Sequence, residues 1–119
     1  MKANLYFVEN QDYLFVKVVG EWIKEEIETH IRSIQEEANR YRFNKILVEA
    51  LNVELDTTTE MIRFYTGEHI AKIWGWNLKA AFIGRAKFIN HFAETVAINR
   101  GANIAVFSDK SKAFKWLIN

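Results

Sequence analysis

Apolar positions along this chain change spacing repeatedly, and each change marks an element. Leu5-Tyr6-Phe7-Val8-Glu9 is aromatic and branched, the composition of a strand. Asn10-Gln11-Asp12 supplies turn residues, and Tyr13 to Val19 repeats the strand pattern, so the two runs predict an antiparallel hairpin ended by Gly20. From Trp22 the period lengthens. Ile23, Ile27, Ile31, Ile34, Ala38 and Tyr41 recur at helical steps, while Lys24, Glu25, Glu28, Arg32, Glu36, Glu37 and Arg40 occupy the other side. That is a long amphipathic helix with one face on a core.

Phe43 to Ala50 holds the run Ile46-Leu47-Val48, suited to a strand covered on both faces. A polar segment, Leu55-Asp56-Thr57-Thr58-Thr59-Glu60, leads into a helix expected from about Thr58 to Trp74 and ended by Gly75. Leu78 to Ile83 reads as the fourth strand and Gly84-Arg85-Ala86-Lys87 as a turn. Phe88, Ile89, Phe92, Ala93, Val96 and Ala97 line a third helix closed at Arg100-Gly101. Asn103 to Phe107 is the fifth strand, and Ser108-Asp109 caps a last helix carrying Ala113, Phe114, Trp116 and Leu117. The order β-β-α-β-α-β-α-β-α predicts an α/β fold with a mostly parallel five-stranded sheet and four helices. No linker, repeat or low-complexity stretch interrupts it, so residues 1–119 are expected to form a single domain.

Composition narrows the chemistry. With 16 basic and 15 acidic side chains the formal net charge is +1, which gives no electrostatic reason to expect nucleic acid as a partner. The chain has no cysteine, which removes disulfides and thiolate chemistry. No apolar run approaches a membrane span and the first residues lack a signal-peptide core, so a cytoplasmic protein is expected. His30, His69 and His91 fall on different predicted helices without ligand spacing. No nucleophile elbow, phosphate loop or dinucleotide fingerprint is present. A non-enzymatic role without metal or cofactor is the expectation. The basic groups around Arg40 to Lys45 and Lys110 to Lys115 read as solvated faces.

Three places carry candidate function. Three consecutive hydroxyls at a helix start lie where backbone N–H groups point outward. Thr57 and Glu60 have the spacing of a capping box, which is one complete use for the segment. Thr58 as a phosphoacceptor or anion site is the other. Gly84 and Arg85, with Lys87 beside them, follow the fourth strand, and Ser108 follows the fifth. Carboxyl ends of parallel strands form the ligand edge of open sheets, so these loops and Asp56 should share one rim. Arg85 or Lys87 can serve a phosphate there or simply face water. The second helix is apolar on several sides: Met61, Phe64, Tyr65 and Trp74, with Trp76 after it, predict cover by neighbouring helices, a partner chain, a second copy, or an apolar ligand. An internal pocket for such a ligand would draw on Phe64, Trp74, Phe88 and Phe92.

The element order, Asp56-Thr57-Thr58, and the ending Val106-Phe107-Ser108-Asp109 with Ala113, Trp116 and Leu117 together resemble the STAS domain family, whose fold is called SpoIIAA-like. The resemblance spans nearly the whole chain, and the ending is similar to that of a STAS-like branch of uncharacterised bacterial proteins. It implies a protein-interaction module akin to the anti-sigma-factor antagonists, with Thr58 in the place of the hydroxyl that a partner kinase phosphorylates. Thr59 stands where that family has a glycine. The STAS-like branch is also described as related to lipid-binding carrier domains, which implies an apolar small molecule or lipid as the alternative.

Overall fold

A computed structural model describes residues 3–54 and 60–119 of the chain. The strands are β1 (Asn4–Glu9), β2 (Leu14–Glu21), β3 (Lys45–Glu54), β4 (Lys79–Ile83) and β5 (Asn103–Phe107). The helices are α1 (Ile27–Arg40), α2 (Glu60–Trp74), α3 (Phe92–Asn99) and α4 (Lys110–Ile118). The strands stand in the order β1-β2-β3-β4-β5, with β1 antiparallel to β2 and every other pair parallel. This is the α/β arrangement that the alternation of spacings predicts.

Two apolar layers lie on the sheet. On one face Val16, Ile46, Val48, Ala80 and Ile104 meet Ile27, Ile31, Ile34 and Ala38 of α1, Ile70, Ala71 and Trp74 of α2, and Ala97 of α3. On the other, Leu47, Ala81 and Ile83 meet Ala113 and Leu117 of α4. Of the predicted stripe, Ile27, Ile31, Ile34 and Ala38 are the buried face of α1, while Ile23 precedes the helix and is half-buried and Tyr41 follows it and is exposed. Its outer face carries exposed ion pairs. The Arg32 guanidinium, 3.1 Å from Glu28, holds that carboxyl below the usual glutamate range.

Several boundaries move, each for a local reason. Gly20 does not end β2. Its φ of +113° is available to glycine, and the strand continues through it to Glu21. β3 runs on to Glu54 because its pairing with β2 slips: Lys17 faces Glu49, but Val19 faces Asn52. One extra residue is thus looped into β3, a bulge that turns Val53 back toward the α1–α3 face. The third helix is shorter than its apolar pattern. A 3-10 turn, Ala86–Phe88, comes first, and His91 at φ +61° breaks the path before α3 starts at Phe92. Gly75, at φ +58°, ends α2 as expected.

Candidate functional site

The carboxyl ends of the parallel strands gather the described loops. The Gly84 N–H donates to the Phe107 carbonyl at 2.9 Å, joining the ends of β4 and β5. Arg85 Nη2 reaches the Val53 carbonyl at 3.4 Å, joining the β4 loop to the end of β3. Ser108 follows directly, and Asp109 caps α4 by accepting from the N–H groups of Ser111 and Lys112 at 2.7 and 3.3 Å. Gly84, Arg85 and Ser108 therefore do share one rim. Asp56, Thr57, Thr58 and Thr59 lie outside the described residues. Val53, three residues before Asp56, and Glu60, directly after Thr59, belong to this rim.

Glu60 begins α2 and reaches across to the turn before α3. Its Oε1 accepts from Asn90 Nδ2 at 3.0 Å and lies 3.7 Å from Arg63 Nε. Asn90 in turn accepts the Phe92 N–H at 3.0 Å, starting α3 with an Asx-type bond. His91, in the left-handed region that Asn, Asp and His tolerate best, hydrogen-bonds Glu94 through Nδ1. The other oxygen of Glu94 accepts the Val106 N–H at 2.9 Å. A carboxylate on α3 thus satisfies an outward-facing donor of the edge strand β5.

Behind this polar rim two apolar cavities lie side by side between the sheet and the helices. One, of about 170 Å³, is lined by Ile70, Phe82, Ile83, Ile89 and Ile104, with Arg63, Arg85, His91 and Glu94 toward the rim. The second, of about 180 Å³, is lined by Val18, Trp22, Ile31, Ile34, Val48 and Val53. Ala50, Arg63, Thr66, Phe82 and Ala93 line both. Gly67 explains how α2 and α3 close over them. A Cβ there would come within 2.4 Å of the Ala93 carbonyl oxygen, so the two helices cross where only glycine fits.

The apolar residues expected on several sides of α2 meet different neighbours, and only Phe64 and Tyr65 among them share a ring contact. Trp74 is core: 2% exposed, stacked on Phe82, with its indole N–H donating to the Ile31 carbonyl at 2.9 Å. Phe64 lies under the Arg100 guanidinium of the α3 end, and Tyr65 under Lys24 on the α1 side. Met61, 59% exposed, begins the helix on the rim, whereas Trp76, 67% exposed, follows its other end, roughly 20 Å away at 1.5 Å per residue. Nor do Phe64, Trp74 and Phe92 line either cavity, and the side chain of Phe88 lies outside the described set. Large apolar side chains on several sides of a helix draw attention as ligand contacts. Here such residues fill the helix seams instead, and the cavity walls come from shorter side chains on the strands.

The residues missed from sequence are Trp22, Arg63, Thr66, Gly67, Asn90, His91 and Glu94. Two signals existed. Gly67 sits mid-helix, where it has a cost unless close packing needs it. Asn90-His91 places a turn-forming pair inside an apparently continuous apolar pattern. His69 needs no special role: its Nδ1–H donates to the Tyr65 carbonyl at 2.7 Å within α2, and Nε2 lies 3.7 Å from Glu28. Among the described residues no three His, Asp or Glu side chains are grouped to hold a metal ion, and no helix is long and apolar enough to cross a membrane.

No protein-family model matches the chain, and neither does any curated protein. Solved structures do match. A crystal structure of an anti-sigma factor antagonist from Mycobacterium paratuberculosis superposes with a TM-score of 0.66 at 9% identity, covering 98% of this chain and 95% of that one. An uncharacterized DUF3478-family protein with a SpoIIAA-like fold from Shewanella loihica PV-4 gives 0.55 at 22% identity, covering 97% and 93%. The chain has the SpoIIAA-like fold. In these terms the rim is the carboxyl edge of a SpoIIAA-like sheet, and α2 is the helix that the threonine segment leads into. A one-residue bulge, a left-handed histidine and a mid-helix glycine bring that edge together here.

Proposed function

We propose that this chain is a non-enzymatic, single-domain regulatory module that binds another protein, or a second copy of itself, through its carboxyl-edge loops, with Thr58 as the residue whose phosphorylation switches that binding. One observation carries the reading: the chain near each end of the threonine segment, at Val53 and at Glu60, lies beside a guanidinium group. Arg85 bonds the Val53 carbonyl before it, and Arg63 lies near Glu60 after it. A phosphate on Thr58 would add about two negative charges to a rim that carries Arg63 and Arg85, enough to change partner affinity by ~1–3 kcal/mol. Met61 offers a partner an exposed apolar side chain on the same rim. The fold shared with an anti-sigma factor antagonist supports a regulatory role. Incubation with cell extract and ATP, followed by peptide mass spectrometry, tests the switch. Phosphate on Thr58 that disappears in Thr58→Ala is the expected result; phosphorylation elsewhere only, or none, removes it.

A second reading is favoured by the paired cavities: a sensor or carrier of a small apolar molecule. Cavities of about 170 and 180 Å³ are comparable to an engineered apolar cavity of about 150 Å³ that binds benzene. Native mass spectrometry of the freshly purified protein tests it: a retained small molecule is the expected result, and an empty protein removes the reading.

A further inference from the structure

We propose that the end of the fold opposite the rim docks on an anionic phospholipid surface, with Trp76 and Tyr41 entering the headgroup layer and Arg42 among the cations that hold it there. The proposal rests on neither reading above. It concerns the amino ends of the parallel strands, and docking there leaves the carboxyl rim facing away from the bilayer.

Three contacts gather this end. The Lys79 N–H, at the start of β4, donates to the Asn44 carbonyl at 2.9 Å, so the loop from α1 to β3 lies beside the loop from α2 to β4. Lys45 Nζ donates to the Ile118 carbonyl at 3.1 Å, and Lys79 Nζ stands 4.7 Å from the centre of the Trp116 ring. Those two bring the end of α4 to the same place. Every residue of these loops is among the described ones. Trp76 in one loop is 67% exposed, and Tyr41 in the other is exposed as well. An indole left mostly in water has lost the burial that ordinarily stabilises it.

Charge at this end has a sign. Arg40, Arg42, Lys45, Lys72, Lys79 and Lys115 stand in the last helical turns and at the strand starts. The carboxylates there are Glu9, Asp12, Glu36 and Glu37, and Glu37 pairs with Arg40 at 3.6 Å. The bonds of Lys45 and Lys79 to a carbonyl and a ring leave both charges in place. The excess is positive, although the whole chain carries only +1.

Cations in a last turn also suit the helix dipole, whatever lies outside. The backbone of Arg42 goes further. Its N–H donates to the Asn39 carbonyl at 3.2 Å and the Phe43 N–H donates to the Ala38 carbonyl at 2.8 Å, a closure that places Arg42 at φ +62°. After α2 the matching left-handed position is Gly75, at φ +58°. Arginine is strained there relative to glycine, and what the position gains is an exposed guanidinium next to Tyr41.

Exposed tryptophan and tyrosine beside cations match a bilayer of negative headgroups. The rings bury their apolar bodies at the interface with their polar atoms in water, and the long basic chains reach the phosphates. A nucleic acid strand draws its affinity from neutralising a row of phosphates. The small cationic excess here supplies little of that, whereas a bilayer adds the burial of both rings.

Sedimentation with vesicles tests the surface. The intact protein is expected to bind phosphatidylcholine vesicles containing about one-third phosphatidylglycerol, and to bind pure phosphatidylcholine at least about tenfold more weakly. Raising NaCl from about 0.1 M to about 0.5 M should release it. Tryptophan emission should shift to the blue on binding, and the shift should vanish in Trp76→Ser. Arg42→Gly should weaken binding about fivefold while keeping or raising the melting temperature, which separates lost affinity from lost fold. Equal binding to neutral and anionic vesicles, or undiminished binding in both variants, would overturn the proposal. So would an oligothymidylate of about 20 nucleotides that binds more tightly than the vesicles and displaces them, since the surface would then belong to nucleic acid.

Discussion

Gly67 shows how much of this site depends on a hydrogen atom in place of a methyl group. Glycine in a helix interior is ordinarily worth about 1 kcal/mol less than alanine, so Gly67→Ala would stabilise an isolated α2. In the folded chain the added carbon would stand 2.4 Å from the Ala93 carbonyl oxygen and 3.0 Å from Val96 Cβ. Backbone on the other side of that contact cannot yield cheaply. The clash should outweigh the helix propensity, and a net loss of ~1–3 kcal/mol is expected in urea unfolding. A neutral or stabilising result would mean that α2 and α3 can separate without cost. Arg63 and Glu94, placed on opposite helices by this crossing, would then not be held in fixed relation.

Between elements, the connections are made by single side chains reaching a neighbour's backbone. Gln35 of α1 donates to the Ile73 carbonyl of α2 at 2.8 Å, Trp74 of α2 donates to the Ile31 carbonyl of α1, and Lys45 of β3 donates to the Ile118 carbonyl at the end of α4. Glu94 does the same for α3 and β5, and it does so at a sheet edge where the Val106 N–H otherwise faces water. Removal of a charged acceptor costs about 1.5–3 kcal/mol of local bonding. In Glu94→Ala the Val106 amide should therefore exchange with deuterium about ten- to hundredfold faster, while amides in the middle of β3 and β4 change little. Uniform acceleration along all five strands would instead mark a global loss of stability and no special role for the contact.

On the scale of the whole molecule, the sequence was legible wherever one period dominated. β1, β5 and the buried stripe of α1 stand where their spacing places them, and the repeated βα units give the parallel sheet. What was not legible depends on two elements meeting. Trp74 is apolar whether it faces a ligand or a core, and only the position of Phe82 and the Ile31 carbonyl shows which. Arg63 reads as one polar residue on an apolar helix; its value comes from the cavity walls that β2, β3 and α1 bring to it. His91 reads as helix because its neighbours are apolar, yet Asn90 and Glu94 bind the chain into a turn. The rim itself was legible, since the ends of parallel strands must share an edge, and Gly84, Arg85 and Ser108 are found there.

The extra residue in β3 works as a shift of reading frame. Up to Glu49 the alternation of β3 is in step with β2; past it, the parity of inward and outward positions is reversed, and Val53 faces the helices because of that reversal. Shortening the strand by one residue at Leu51 would remove the offset and leave Val53 opposite Gly20, still on the helix side, because the bulge and the added residue cancel. What deletion and substitution both remove is the Leu51 side chain that packs on the α4 layer. Deletion of Leu51 should thus keep cooperative thermal unfolding and lower the melting temperature about as Leu51→Ala does; loss of cooperative unfolding in the deletion variant alone would show that the strand needs its extra residue for more than the facing of Val53.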